Sequence, residues 1–220
     1  MKALVIFSGG QDSTTCLGYA LKKYDEVVCI SFKYSQKHSI ELEQARTICK
    51  KLKVELHEID ISFFGQMVDS ALTHNGDVNE KHSRLKDLPA SFVPNRNALF
   101  ITLSHAFAQK IGAEVLVTGT CETDFSGYPD CRKVFIDSIE ETLELSSNCK
   151  IIIETPLMYL NKAETFKLAE ECNILDIVIK DSHTCYNGIR EEHEWGAGCD
   201  NCPSCSLRKK GYNEFREGMK

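Results

Sequence analysis

A short apolar run, Ala3-Leu4-Val5-Ile6-Phe7, empties directly into Ser8-Gly9-Gly10-Gln11-Asp12-Ser13-Thr14. The order strand, glycine turn, helix start, with Asp12 and Ser13 placed to cap the helix, suits few folds besides an α/β sheet. Two glycines let the main chain approach a polyanion closely, and the helix start turns unpaired N–H groups and the positive end of its dipole toward it. The hydroxyls of Ser8, Ser13 and Thr14 add donors for phosphate oxygens. No Gly-Lys-Ser/Thr follows, so this turn sends no lysine to outer phosphates, and the glycine spacing is not that of a dinucleotide fingerprint. An ordinary strand-to-helix turn is the alternative, but it does not ask for glycine, acid and hydroxyls at once.

The chain of 220 residues suits one large domain, or one domain with a small appendage. Its 42% hydrophobic and 26% charged residues are ordinary for a soluble globular protein. A net charge of -6 argues against a broad nucleic-acid footprint, though it leaves room for a small basic patch. No apolar stretch approaches the roughly 20 residues that span a bilayer, so no membrane partner is expected. The apolar N-terminus ends in Gly-Gly and reads as a strand, not a signal peptide. Eleven cysteines without an export signal read as reduced thiols plus a metal site, and the odd number excludes complete disulfide pairing. The expected compartment is the cytoplasm.

Strands are expected over residues 2–7, 27–32, 54–59, 115–119 and 151–153. Helices are expected over 13–23, 40–52, 62–71, 97–111, 132–146 and 161–172. The stretch 73–92 is polar and irregular, as an active-site lid or binding loop often is. Such alternation predicts a doubly wound, mostly parallel α/β sheet with its ligands beyond the carboxyl ends of the strands. Residues 1–180 read as a nucleotide-binding domain and 181–220 as a C-terminal metal-binding segment.

Cys185 and the cluster Cys199-Asp200-Asn201-Cys202-Pro203-Ser204-Cys205 define that segment. Two overlapping Cys-x-x-Cys steps plus one more thiolate match tetrahedral zinc, and a site closed by four sulfurs is structural. An iron–sulfur cluster and a redox or sulfur-transfer pair compete for the same sulfurs. Gly188, Gly196 and Gly198 permit tight loops between the ligands. The other cysteines (16, 29, 49, 121, 131, 149 and 172) lie singly and read as small core residues. His183 and His193 lie beside the ligands, but four sulfurs already satisfy the metal.

The pattern Ser-Gly-Gly-x-Asp-Ser resembles the pyrophosphate loop of ATP pyrophosphatases, which split ATP to AMP and pyrophosphate. With both motifs in hand, the chain resembles the 7-cyano-7-deazaguanine synthase (preQ0 synthase) family of queuosine biosynthesis almost end to end. The stretches that carry this are Phe7 to Leu17, Phe92 to Asn97, Glu122 to Arg132, Thr155-Pro156-Leu157, Asn161 to Thr165 and Thr184 to Gly188. The string Glu-Thr-Asp-Phe-Ser-Gly-Tyr-Pro-Asp is the most discriminating. The resemblance implies an adenine nucleotide alpha hydrolase-like fold, a cytoplasmic homodimer, structural Zn2+, and ATP with Mg2+. It also implies a ligase that turns 7-carboxy-7-deazaguanine and ammonium into a nitrile by adenylation, amide formation and dehydration. Two departures stand out: a longer interval from Cys185 to Cys199, with Arg190 to Trp195 resembling an insertion, and Asp200 where glycine is expected.

On that reading Phe7, Ser8, Gly9, Gly10, Gln11, Asp12, Ser13, Thr14, Thr15, Cys16 and Leu17 hold ATP, and Asp12, with Asp124 behind it, is the candidate magnesium ligand. Adenine is expected near Ser31 and Phe32. A deazaguanine presents two adjacent donors that suit one carboxylate, from Glu122, Asp124 or Asp130, while Phe125 or Tyr128 could stack on the ring. Arg96 and Lys162 are the cations for the carboxylate and the acyl-adenylate. Spacing names no general base. Without a glutaminase signature, free ammonium is the expected nitrogen donor. A tRNA thiolase or lysidine-type synthetase, and a non-catalytic nucleotide sensor, are the competing functions.

Overall fold

The computed structural model describes residues 1–34, 40–68, 70–72, 81–82, 87–123 and 127–218. Five strands, β1 (Lys2–Ile6), β2 (Glu26–Lys33), β3 (Glu55–Asp60), β4 (Val115–Val117) and β5 (Ile152–Glu154), form one sheet in the order β3-β2-β1-β4-β5. Every pairing is parallel, with Leu4 beside Val28 and Leu116. Strand order reverses between β1 and β4, and the crevice outside their carboxyl ends is where such sheets take ligands.

Alternation along β1 sorts the core into two layers. Leu4 joins Ile30 and Leu116 with Ile101, Ala108, Ile136 and Leu143 from helices α4 (Arg96–Ile111) and α5 (Lys133–Ser147). Ala3, Val5 and Phe7 join Cys29, Val115 and Val117 on the other face. There they meet Cys16, Leu17 and Ala20 of α1 (Gln11–Lys23) and Ala45, Ile48 and Cys49 of α2 (Ile40–Leu52). Both faces are covered, as a parallel sheet requires, so the expected doubly wound fold is present. Of the lone cysteines, 16, 29, 49 and 121 are buried core residues, while 131, 149 and 172 are half-buried.

A short α3 (Ser62–Met67) follows β3 and stops before the expected residue 71. Helix α6 (Lys162–Glu171) begins with a capping box: Glu164 N–H donates to Asn161 Oδ1 at 2.9 Å, and Asn161 N–H to Glu164 Oε2 at 2.8 Å. That cap fixes Lys162 as the first helical residue.

Three elements were not anticipated from the sequence: α7 (Leu175–Lys180), α8 (Pro203–Gly218) and a 3-10 turn at Pro129–Cys131. Helix α8 buries Cys205, Arg208, Gly211 and Phe215. A stripe containing an arginine and a glycine shows no apolar period, which is why the pattern hid it. Gly211 lets α8 press on the main chain of Lys162, where a Cβ would collide. Phe215 packs on Phe166 with ring centroids 5.9 Å apart.

Candidate active site and metal centre

The loop after β1 is held from three sides. Gly9 has φ +82, and a Cβ there would stand 2.5 Å from the Glu41 carbonyl oxygen and 2.7 Å from the Ala45 nitrogen, both main-chain atoms of α2. His183 N–H donates to the Gly9 carbonyl at 2.9 Å. Within the loop, Ser8 N–H donates to Ser13 Oγ at 3.2 Å, Gly10 N–H to Ser8 Oγ at 3.2 Å, and the Thr14 hydroxyl to the Gly10 carbonyl at 2.7 Å.

Gly10 occupies the cap position of α1 with no side-chain cap. The expected capping by Asp12 and Ser13 is therefore corrected: Ser13 faces back to Ser8, and Asp12 faces a lysine. Among the described residues no side chain takes up the first-turn N–H groups, the arrangement that favours an anion. Gln11 is 2% exposed, and neither polar atom of its amide has a hydrogen-bond partner among the described residues.

Lys162 Nζ meets both oxygens of Asp12, at 2.9 and 2.7 Å, across 150 residues of sequence. The lysine side chain is 10% exposed and the aspartate 30%. Thus Asp12 keeps an open side with lone pairs for a further cation, and its carboxylate fits a magnesium ligand.

Beyond the loop lies a second group of side chains gathered around Arg96. Asn95, in the left-handed region at φ +59, turns the chain into α4 so that Arg96 starts the helix. Burial works against the Arg96 charge, but Tyr34, Asp130, Tyr128 and Cys131 outweigh it and raise its pKa. Asp130 is 7% exposed. Its Oδ2 accepts the Asn97 N–H at 3.1 Å, while Oδ1 is buried with no hydrogen-bond partner among the described residues. Burial raises the Asp130 carboxyl, with the Asn97 N–H and Arg96 opposing. Tyr128 bonds Ser91 Oγ at 2.7 Å and sits 5.4 Å from the Phe92 ring. Tyr34, Glu41 and Tyr186 complete the group. Burial pushes the Glu41 carboxyl up to about 7, with Arg96 opposing.

The other sequence candidates are placed less centrally. Glu122 is exposed, and its Oε2 accepts the Lys133 N–H at 3.1 Å at the start of α5. Asp124 and Phe125 lie outside the described residues. Ser31 gives its hydroxyl to the Phe7 carbonyl, and Phe32 stacks on Phe100 with centroids 4.6 Å apart.

The four sulfurs of Cys185, Cys199, Cys202 and Cys205 all lie within 4.8 Å of one another. Those of Cys199 and Cys205 are 3.9 Å apart, close to the roughly 3.8 Å that tetrahedral metal–sulfur bonds of about 2.3 Å require. Cys202 N–H and Asn187 Nδ2 both donate to the Cys199 sulfur, at 3.3 and 3.5 Å. The site fits a metal ion.

The longer interval folds back on itself. Glu191 bridges Gly198, and Trp195, 4% exposed, packs among the cysteines with His193 stacked on it at 4.5 Å. Asp200 takes φ +53, the conformation that explains why glycine is expected there, and its carboxylate meets Lys209 at 2.8 Å.

The four-cysteine region and the loop after β1 are physically joined. His183, bonded to Gly9, also bonds the Cys185 carbonyl at 3.0 Å through Nε2. Tyr186 follows Cys185 directly, and its phenol bonds Tyr128 and lies within electrostatic reach of Arg96 and Glu41. Arg208, with no exposed surface, donates to the Trp195 carbonyl at 2.9 Å, Thr184 Oγ1 at 3.0 Å and the Val178 carbonyl at 2.7 Å. Its burial lowers its pKa to about 10. The sequence singled out neither Glu41, Tyr34 nor Arg208. Tyr186 lay inside the string Thr184 to Gly188 that carried the resemblance.

The model of a family described as queuosine biosynthesis protein QueC matches residues 2–216. A 7-cyano-7-deazaguanine synthase of Wolinella succinogenes is 51% identical over 220 residues, 99% of this chain and 94% of its own. A synthase of the same name from Helicobacter pylori is 51% identical over 97% of this chain and 96% of its own. The one from Clostridium botulinum is 49% identical over 98% and 96%. Two solved structures share the fold. A predicted tRNA methyltransferase subunit of Methanocaldococcus jannaschii has a TM-score of 0.50 at 22% identity, covering 78% of this chain and 75% of its own. A 4-thiouridine synthetase in an RNA complex with bound ATP has a TM-score of 0.51 at 19% identity, covering 98% of this chain and 50% of its own.

Proposed function

The chain belongs to the QueC family of queuosine biosynthesis proteins, and from that premise we propose that it is an ATP-dependent ligase making 7-cyano-7-deazaguanine from 7-carboxy-7-deazaguanine and ammonium. The observation that carries this is the likeness to synthases of that name along nearly the whole chain.

The residues divide the work. The segment Phe7 to Leu17 grips the β- and γ-phosphates of ATP with main-chain N–H groups and the Ser8, Ser13 and Thr14 hydroxyls, leaving the α-phosphorus open to attack by a carboxylate. Asp12 would hold magnesium, which when bound would neutralise charge on the departing pyrophosphate. Lys162, locked on Asp12 at 2.7 Å, holds that carboxylate in place and adds positive charge where the leaving group forms.

Asp130 receives the two donors of the deazaguanine edge through its buried Oδ1, which has no hydrogen-bond partner among the described residues, and Tyr128 lies along the ring. Glu122, Asp124 and Phe125 remain candidates for the same pocket. Arg96 orients the substrate carboxylate toward the α-phosphorus. The amide then returns through the same site with a second ATP.

Cys185, Cys199, Cys202 and Cys205 would hold zinc in a structural role, in which it would brace residues 181–220, where His183 N–H donates to the Gly9 carbonyl. The working unit is a cytoplasmic homodimer with no nucleic-acid partner. Val134 and Leu145, about three turns apart and so on one face of α5, are 69% and 76% exposed beside the edge strand and offer an apolar contact for a second copy.

Incubation with ATP, ammonium and 7-carboxy-7-deazaguanine should release AMP and a product of nitrile mass. AMP release that ignores the deazapurine, or a modified tRNA in place of the nitrile, would overturn the reading.

A further inference from the structure

Each amide made at this site releases protons, and the two carboxylates assigned so far are committed elsewhere, Asp12 to Lys162 and Asp130 to the ring edge. Glu41 stands where an acceptor is needed. Its carbonyl, in the first turn of α2, lies against Gly9 of the phosphate loop. Its half-buried side chain lies within electrostatic reach of Arg96 on α4, of Tyr34 at the end of β2 and of Tyr186, which follows Cys185. Tyr34 is itself 6% exposed. Glu41 therefore borders both the loop that holds the outer phosphates and the cluster that receives the ring, and the acyl carbon must lie between the two.

We propose that Glu41 is the catalytic base of nitrogen transfer, an inference that rests on the ligase reading above. Ammonium gives one proton to the Glu41 carboxylate, and the lone pair so freed forms the bond to the acyl carbon of the adenylate. The bond from that carbon to the phosphate oxygen breaks, and AMP leaves with its electron pair. Glu41 passes its proton to water and takes a second from the newly attached nitrogen, leaving a neutral amide. In the dehydration stage the same carboxylate takes the two remaining N–H protons in turn. Burial supports this role, because a carboxyl lifted to about 7 exchanges protons readily at neutral pH.

The alternative is that Glu41 only balances the charge of Arg96. Glu41→Gln separates the two, with Glu41→Asp as a second variant that keeps the charge should the amide fail to fold. Two quantities are read at pH 7: AMP-forming activation, as pyrophosphate exchange into ATP with 7-carboxy-7-deazaguanine and no ammonium, and amide formed once ammonium is added. A base at Glu41 predicts that the ratio of amide formation to activation falls about 100-fold in Glu41→Gln. It also predicts partial recovery in Glu41→Asp and rising rates as higher pH supplies free ammonia. Hydroxylamine, unprotonated at neutral pH, should restore the ratio in Glu41→Gln. An equal loss with hydroxylamine, or a loss confined to activation, would overturn the proposal. Wild-type protein without pyrophosphate exchange would instead sink the ligase reading itself.

Discussion

Gly9→Ala tests how tightly the phosphate loop is built. Alanine at φ +82 takes on the left-handed penalty of roughly 1–2 kcal/mol. Its Cβ would also meet the Glu41 oxygen at 2.5 Å and the Ala45 nitrogen at 2.7 Å. Both are main-chain atoms inside a helix, so no rotamer change relieves the clash, and overpacking of this kind adds about 1–3 kcal/mol. The combined effect is roughly 2–5 kcal/mol, which for a chain of this size lowers the melting temperature by about 4–20 °C. If α2 yields instead of the fold, the same energy appears as ATP affinity weakened about 30-fold to several thousand-fold. Scanning calorimetry and ATP titration calorimetry read the two outcomes. Gly127→Ala is the control, because φ is +63 but nothing among the described residues lies within 4 Å, so the backbone penalty is what applies. A Gly9→Ala protein that melts and binds ATP as Gly127→Ala does would refute the account of α2 bearing on the loop.

Lys162→Met leaves Asp12 without its cation in a half-buried site, and kcat for AMP formation should fall by about 100-fold or more, with KM for ATP changing less; an unchanged kcat would remove Lys162 from the chemistry. Glu41 also predicts a pH dependence of stability in the absence of substrates. Its folded value, about 7, lies above the ordinary 4.5, so its contribution is fully present below about 4.5 and is lost as pH rises through 7. Melting curves of Glu41→Gln should lose that component. Cys202→Ser removes one sulfur of the metal site, and metal analysis should show release of the ion. Because His183 joins the Cys185 carbonyl to Gly9, ATP affinity should drop with it, and a metal-free variant with unaltered ATP affinity would show that the two sites are uncoupled.

The strands and the helices around β1 were legible because their apolar residues keep period two or a clear helical stripe. Asp12 and Lys162 were each legible as candidates, yet their pairing was not, because only the fold brings residues 150 positions apart to 2.7 Å. Glu41 was hidden for a plainer reason: an acid in the first turn of a helix reads as a favourable dipole partner, and burial beside Arg96 is a property of the tertiary structure. Arg208 escaped notice because a fully buried arginine in a lysine-rich helix looks like surface charge until Trp195, Thr184 and Val178 are seen around it. The four cysteines were legible from spacing as a group that could hold a metal, while the contact of this region with the loop after β1 depended on His183, whose main chain and not its imidazole meets Gly9.

The central claim is that the loop after β1 grips the two outer phosphates and leaves the α-phosphorus to a carboxyl oxygen. 7-Carboxy-7-deazaguanine labelled with 18O in both carboxyl oxygens tests it directly by mass spectrometry of the nucleotide released. The account predicts one 18O in each AMP, from the acid in the first stage and from the amide in the second. Label in inorganic phosphate, accompanied by ADP, would contradict it.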